Sequence, residues 1–236
     1  MRAQDLSLTI VIPVFNEAQR LMKTFDELTR FLTQPIFKKV SVIFVDDGSR
    51  DKTAAILKNA QLNCPVEIIS YSQNQGKGFA VRQGMLKAEG DYALLADADM
   101  STSLLEIKKF IPLIEQGQSV IIGTRKSAGA NLIRPQPWQR RFLGGVYTWL
   151  ANIATGASIS DFTCGFKCFS KEARAQIFPV AKINRWSYDA ELLFLAKKFG
   201  FAIREIPIDW ENDIDTRVRL GKDIIQSFID LVRIRL

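Results

Sequence analysis

The stretch Val40-Ser41-Val42-Ile43-Phe44-Val45-Asp46-Asp47-Gly48-Ser49 decides the fold. Its first part runs apolar almost without a break and is rich in β-branched side chains, so it reads as a strand buried on both faces. The acidic pair, the glycine and the serine then end the strand in a turn. A strand with no polar side needs cover above and below, and helices on both faces of a sheet supply it. The neighbouring sequence has that form. A helical pattern near Thr53–Asn59 follows the turn, and upstream the β-rich run Leu8–Val14 precedes Leu21, Phe25, Leu28 and Leu32 at helical spacing. Downstream, Val66–Ser70 and Tyr92–Ala96 read as further strands, with a helix between them that begins after Gly78. Strands alternating with helices predict an α/β fold with a mainly parallel, Rossmann-like sheet covered on both faces.

The second half is less regular. Ser127–Trp138, with Gly129, Pro135 and Pro137, reads as a loop, and Phe142, Val146, Trp149 and Ile153 then recur at helical spacing. A short helix at Lys171–Ile177, a longer one over Ser187–Lys198 and a strand at Ile203–Ile208 follow. The chain closes with Ile224, Ile225, Phe228, Leu231 and Val232 on one helical stripe. No internal repeat or linker interrupts residues 1–236, so one domain is expected.

Parallel sheets of this kind bind ligands beyond the carboxyl ends of their strands. The polar clusters fall there: Pro13-Val14-Phe15-Asn16-Glu17 after the first strand, Asp46-Asp47 after the second, and Asp97-Ala98-Asp99 after the strand at Tyr92. Any one cluster is accounted for by helix capping, as Ser49 and Asp51 ahead of a helix illustrate. Three on one rim point instead to a divalent cation, Mg²⁺ or Mn²⁺, which favours oxygen ligands, and through it to a phosphorylated ligand.

Composition narrows the chemistry. With 236 residues and 47% hydrophobic content the chain fills a sizeable core. No apolar run approaches the roughly 18–20 residues that span a bilayer, and the opening Met1-Arg2-Ala3-Gln4-Asp5 leads into a strand pattern, so a cytosolic protein is expected. Cys64, Cys164 and Cys168 lack metal-site spacing and read as reduced packing residues. There is no histidine, which removes Ser-His catalysis and leaves Asp, Glu, Lys, Arg and backbone amides. The net charge of +7 is concentrated in two segments. Gly123–Ser160 holds Arg125, Lys126, Arg134, Arg140 and Arg141 with no acid, and Arg217–Leu236 holds Arg217, Arg219, Lys222, Arg233 and Arg235 against Asp223 and Asp230. Surfaces so polarised favour phosphate-bearing partners. A basic nucleic-acid-binding module is the distant alternative, and a nucleic acid is not the expected partner, because three acidic clusters would repel its backbone.

The motifs "IVIPVFNE", "VIFVDDGSRDKT", "NQGKGFAVRQGM", "GDYALLADADMS" and "GTR", in that order, resemble the inverting glycosyltransferases of family two, which have the GT-A fold. The later "DFTCGFKCFSKEA" and "NRWSYDAELLFLAKKFGFAIREIPIDW" are similar to the dolichyl-phosphate glucosyltransferase and mannosyltransferase branch. The resemblance implies a nucleotide-sugar-binding half, residues 1–123, and an acceptor-binding half, residues 124–236, ending in an amphipathic helix. It implies that Pro13, Glu17, Asp46 and Asp47 hold the base and ribose, with either Asp46 or Asp47 facing the base. Lys77 lies near the nucleotide, where Gly78 admits close backbone approach. Asp97 and Asp99 match the family's DxD motif, Asp97 near the nucleotide and both as metal ligands. Asp189 is the implied catalytic carboxylate, with Glu191 second.

The expected reaction moves a hexose, UDP-glucose being the preferred donor and GDP-mannose the alternative, to a polyprenyl or dolichyl phosphate, with a soluble glycan as alternative acceptor. Arg125 and Arg140, with Arg217 and Arg219 as a second group, are expected to neutralise the acceptor phosphate. The basic carboxyl-terminal stripe, joined by Trp138, Phe142 and Trp149, is expected either to pack on the domain or to lie on an anionic membrane surface. The second case makes the protein peripheral, on the cytoplasmic face.

Overall fold

The computed structural model describes residues 1–134, 138–211 and 222–234. Its first half is the predicted alternation: β1 (Ser7–Val14), α1 (Leu21–Leu32), β2 (Lys39–Asp46), α2 (Thr53–Lys58), β3 (Val66–Ser70), α3 (Lys77–Lys87) and β4 (Tyr92–Leu95). A 3-10 turn at Leu104–Lys109 and α4 (Ile111–Glu115) lead to β5 (Val120–Thr124), β6 (Leu132–Arg134) and α5 (Trp138–Thr155). Then come β7 (Lys167–Ser170), α6 (Lys171–Ile177), α7 (Tyr188–Lys198), β8 (Ile203–Pro207), β9 (Trp210–Glu211) and α8 (Lys222–Arg233).

Seven strands form one sheet in the order β3-β2-β1-β4-β7-β5-β8, and β6 pairs with β9 in a separate ribbon. Parallel ladders join β1 to β2 and β4, β2 to β3, and β5 to β8. β7 is the exception, antiparallel to both β4 and β5. Because successive strand residues point to opposite faces, Ile10, Ile12, Val14, Val42, Phe44 and Leu94 pack on one side against α1 and the Leu104–Lys109 turn. Val11, Ile43, Val45, Ala93 and Leu95 pack on the other against α3, α6 and α7. The double burial read from the second strand is thus realised by two apolar layers.

Three features depart from the sequence reading. β5 and β7 are short strands that periodicity did not separate from their surroundings, and the stretch read as a loop at Ser127–Trp138 carries the three-residue strand β6. The lysine at the start of β7 hides its strand character, since a charged residue on a buried strand breaks the apolar pattern. Inserting β7 between β4 and β5 brings the loop before it to the same rim as the carboxyl ends of β1, β2 and β4.

Candidate active site

Backbone hydrogen bonds fasten the first two loops of this rim together. Asn16, in the left-handed region at φ 54°, donates its N–H to Ser49 Oγ at 2.8 Å and accepts from the Arg50 N–H at 2.7 Å. The Glu17 N–H donates to Thr53 Oγ1 at 2.7 Å, and the Arg20 guanidinium reaches the Glu17 carboxylate at 3.2 Å. Pro13, half-buried, pairs across the ladder with Val45. These contacts bring Pro13 and Glu17 beside Asp46 and Asp47 on adjacent parallel strand ends.

The two aspartates have different surroundings. Asp47 is buried and accepts from the Gln75 N–H at 2.7 Å, the Gly76 N–H at 2.9 Å and Asn74 Nδ2 at 2.6 Å. Burial raises its carboxyl above the ordinary carboxylate value, and the two amides oppose that shift. Asp47 therefore holds the loop entering α3. Asp46 accepts the Ser49 N–H at 3.0 Å and meets Ser70 Oγ at 3.5 Å, which leaves it with fewer close donors than Asp47.

α3 starts at Lys77. Its N-terminus lies against the Ile183–Asn184 backbone, where a side chain on Gly78 would meet Ile183 O at 2.5 Å and Tyr188 Cβ at 2.6 Å. Lys77 Nζ reaches Asp97 Oδ1 at 2.6 Å. Burial pushes the Lys77 ammonium down, but Asp97, Asp189 and Asp99 together hold it above its usual value. The Asp97 carboxyl is pushed up by burial and pulled lower still by Lys77, Lys167 and Arg125, so it ends below the ordinary range. Asp99 is raised, first by burial and then by the negative charge of Asp97. Thr24 Oγ1 donates to the carbonyl of the intervening Ala98 at 2.7 Å, Lys23 Nζ donates to Asp99 O at 2.9 Å, and Met100, which follows, adopts φ 49°. The far side of Asp97 is closed by Gly165: a Cβ there would lie 2.0 Å from Asp97 Oδ2.

This donor set fits a divalent cation. Among the described residues no three carboxylates or thiols converge to hold an ion by themselves. Two carboxylates that disfavour each other's charge suit Mg²⁺ or Mn²⁺, whose remaining ligands are waters and substrate phosphates.

Asp189 lies in the first turn of α7 and is 5% exposed. Its Oδ1 accepts from Lys167 Nζ at 2.5 Å. Burial raises the Asp189 carboxyl, with Lys167 and Lys77 opposing. Lys167 went unnoticed in the sequence reading, although a lysine inside the apolar "CGFKCF" is itself a signal that a buried acid faces it. Glu191, the second choice for catalysis, is excluded from that part: its two oxygens accept the Lys182 and Ile183 N–H groups, each at 2.8 Å. A carboxylate so placed braces the loop against α3.

The acceptor-side arginines need correction. Arg125, which follows β5, closes its guanidinium fork on buried Asp161 (Nε to Oδ2 2.7 Å, Nη2 to Oδ1 2.9 Å), donates to Thr163 Oγ1 at 2.8 Å and stacks over Trp210 at 5.2 Å. An arginine so engaged is an internal clamp, not a free phosphate ligand. Arg140 lies in the first turn of α5, but its side chain, like that of Trp138, is outside the described residues. Arg217 and Arg219 also lie outside them.

Asp161→Ala is expected to lower stability by about 3 kcal/mol, because it leaves a largely buried guanidinium unpaired. Urea unfolding measures this. Arg125 depresses the Asp161 carboxyl below the ordinary 3.8 despite opposing burial. A depressed carboxyl stabilises the fold above its unfolded value, and that stability is lost as pH falls through the folded value. The gap between wild type and variant should therefore be constant near neutrality and narrow only in acid below about pH 4.

Comparison with known proteins identifies the family. The model of the family described as "Glycosyl transferase family 2" matches residues 9–178. A dolichyl-phosphate beta-glucosyltransferase of Trichomonas vaginalis is 32% identical over 98% of this chain and 71% of its own length. The enzyme of that name from Saccharomyces cerevisiae is 33% identical over 99% of this chain and 75% of its own. Among solved structures, glucosyl-3-phosphoglycerate synthase from Mycobacterium tuberculosis, in complex with Mn²⁺, uridine diphosphate and glucosyl-3-phosphoglycerate, superposes with a TM-score of 0.69 over 97% of this chain and 80% of its own. At 18% identity that likeness speaks for the fold alone.

Proposed function

Because this chain belongs to glycosyl transferase family 2, we propose that it transfers glucose, with inversion, from UDP-glucose to the phosphate of a polyprenyl or dolichyl lipid. The observation that carries this reading is the rim on which Asp97, from the donor half, meets Lys77 at 2.6 Å and is backed by Gly165, from the acceptor half, whose loop also reaches Asp189 through Lys167. Support for the substrate comes from the names of the relatives that share about a third of its residues over nearly the whole chain.

In this reading residues 1–123 bind the donor and residues 124–236 the acceptor. Pro13, Glu17 and Asp46 receive the base and ribose, Asp46 having more acceptor capacity to spare than Asp47. The bond between the anomeric carbon and the diphosphate oxygen breaks, and the electron pair leaves with the diphosphate. Asp97 and Asp99 would hold a divalent cation, which supplies Lewis-acid stabilisation of that leaving charge. Lys77, at the start of α3, is placed to share the same charge. An oxygen of the acceptor phosphate forms the new bond from the opposite face of the sugar.

Near neutral pH a phosphate monoester, with a second pKa of about 6, is already mostly dianionic and has little proton to give up. Asp189 accordingly orients the sugar, whose hydroxyls can donate to it, more than it removes a proton. Arg140, Arg217 and Arg219 are the proposed counter-charges for the acceptor phosphate.

The acceptor lies in a bilayer, and the surface has features that suit one. Phe142, Trp149 and Ile153 are 65%, 63% and 55% exposed and share one face of α5, and Ile229 and Val232 are exposed on neighbouring α8. Among the described residues no helix is long and apolar enough to cross a membrane. We therefore place the protein peripherally, on the cytoplasmic face, with α5 and α8 against the lipid.

Labelled UDP-glucose, GDP-mannose and other sugar nucleotides, offered with vesicles containing polyprenyl phosphate and Mn²⁺ or Mg²⁺, test the proposal. Label from UDP-glucose in the organic extract, abolished by EDTA, is expected. Label from GDP-mannose instead overturns the donor, and label appearing only with a soluble glycan overturns the acceptor. Protein that stays in the supernatant when the vesicles are sedimented contradicts the membrane placement.

A further inference from the structure

We propose that Lys167 is a positioning residue for the transfer: it fixes Oδ1 of Asp189, leaves Oδ2 as the oxygen that accepts from a hydroxyl of the sugar, and ties that carboxylate to the loop backing Asp97. The inference rests on the role given to Asp189 above.

Lys167 is fully buried at the start of β7, flanked by Phe166, Cys168 and Phe169, each buried to within 2%. An ammonium has three protons to donate, and here all three are engaged, with Phe162 O at 2.9 Å, Cys164 O, and Asp189 Oδ1 at 2.5 Å. With no donor left and no exposed surface, Lys167 cannot itself touch substrate. Its partners are informative in a second way. The carbonyls of Phe162 and Cys164 belong to the segment that also supplies Asp161, the partner of Arg125, and Gly165, the wall behind Asp97. One buried side chain thus joins the acceptor-side carboxylate to the segment that shapes the donor-side one.

Stability alone does not call for this pair. Removing two charges from water costs several kcal/mol per ion, and apolar residues of similar volume in such positions are commonly neutral or stabilising. What an apolar pair cannot do is hold a carboxylate in one orientation at a buried site. Precision of that kind matters for transfer, because small displacements of reacting groups lower rates steeply.

The test is a double-mutant cycle on the full chain with Lys167→Met, Asp189→Asn and the two combined, plus Lys167→Arg. Turnover, KM for polyprenyl phosphate and UDP-glucose binding by calorimetry are read for each. Lys167→Met is expected to lower kcat between about 10- and 100-fold, the range seen when the partner orienting a functional ligand is removed. UDP-glucose affinity should change by less than about threefold, and Lys167→Arg should recover part of kcat. The combined variant should be no slower than Asp189→Asn alone.

Losses that multiply in the combined variant overturn the proposal, as does a Lys167→Met protein that loses UDP-glucose binding in step with kcat. Should Lys167→Met fail to fold because it strands the Asp189 charge, the combined variant has neither charge and is compared directly with Asp189→Asn. Equal turnover supports the proposal, and a further tenfold loss overturns it. Asp189→Asn at the wild-type rate instead overturns the role of Asp189, a distinct result from an active Lys167→Met beside an inactive Asp189→Asn.

Discussion

Asp97→Asn is expected to lower glucosyl transfer by about a thousandfold while leaving the protein folded. Asparagine keeps the shape of the side chain, so packing against Gly165 is preserved. What changes is charge. The native Asp97 carboxyl is held below the ordinary range by Lys77, Lys167 and Arg125 against the opposing effect of burial, so it is ionised throughout the physiological range. Its amide substitute binds a hard divalent cation poorly. It also leaves Lys77, placed 2.6 Å from the native carboxylate, without its nearest counter-charge. Mn²⁺ binding by electron paramagnetic resonance, read beside turnover, separates loss of the cation from loss of the fold. Asp99→Ala should likewise lose metal-dependent turnover and remain folded. Full activity in either variant would remove the metal assignment.

Gly165→Ala should cost about a hundredfold in turnover although it adds only one methyl group. The new Cβ would lie 2.0 Å from Asp97 Oδ2 and 2.4 Å from its Cγ, well inside any allowed contact. Either the carboxylate or the loop has to move. Displacing the side chain from its rotamer costs only about 1 kcal/mol, so the stability loss is small while the misplaced carboxylate no longer meets its cation. Thermal unfolding and Mn²⁺ affinity, measured with kcat, tell these effects apart. A variant with native Mn²⁺ affinity and native kcat would mean that Asp97 does not work from the position it occupies here.

Glu17, Asp46, Asp47, Asp97 and Asp99 were legible as a rim because each follows an apolar strand, and parallel strands present their carboxyl ends together. The same logic brought α3, and with it Lys77, to that rim. Arg125 was misread for a reason of principle. Clustered cations in sequence report charge, whereas the partner that consumes a charge, here Asp161, lies 36 residues away and enters only when β5 and the loop before β7 become neighbours. Glu191 was misread similarly, since its two amide partners belong to the loop preceding its own helix.

By itself the sequence determined the layered α/β architecture, the carboxylate rim and the kinship with glycosyl transferase family 2, because each is carried by local periodicity or by short contiguous motifs. Only the tertiary structure decided which charges are available for chemistry. Antiparallel insertion of β7 put Lys167 beneath Asp189, placed Gly165 behind Asp97 and gave Asp161 to Arg125. Those pairings depend on through-space distances of a few ångströms between segments remote in the chain, and electrostatic strength inside a protein follows that separation and burial, not sequence order.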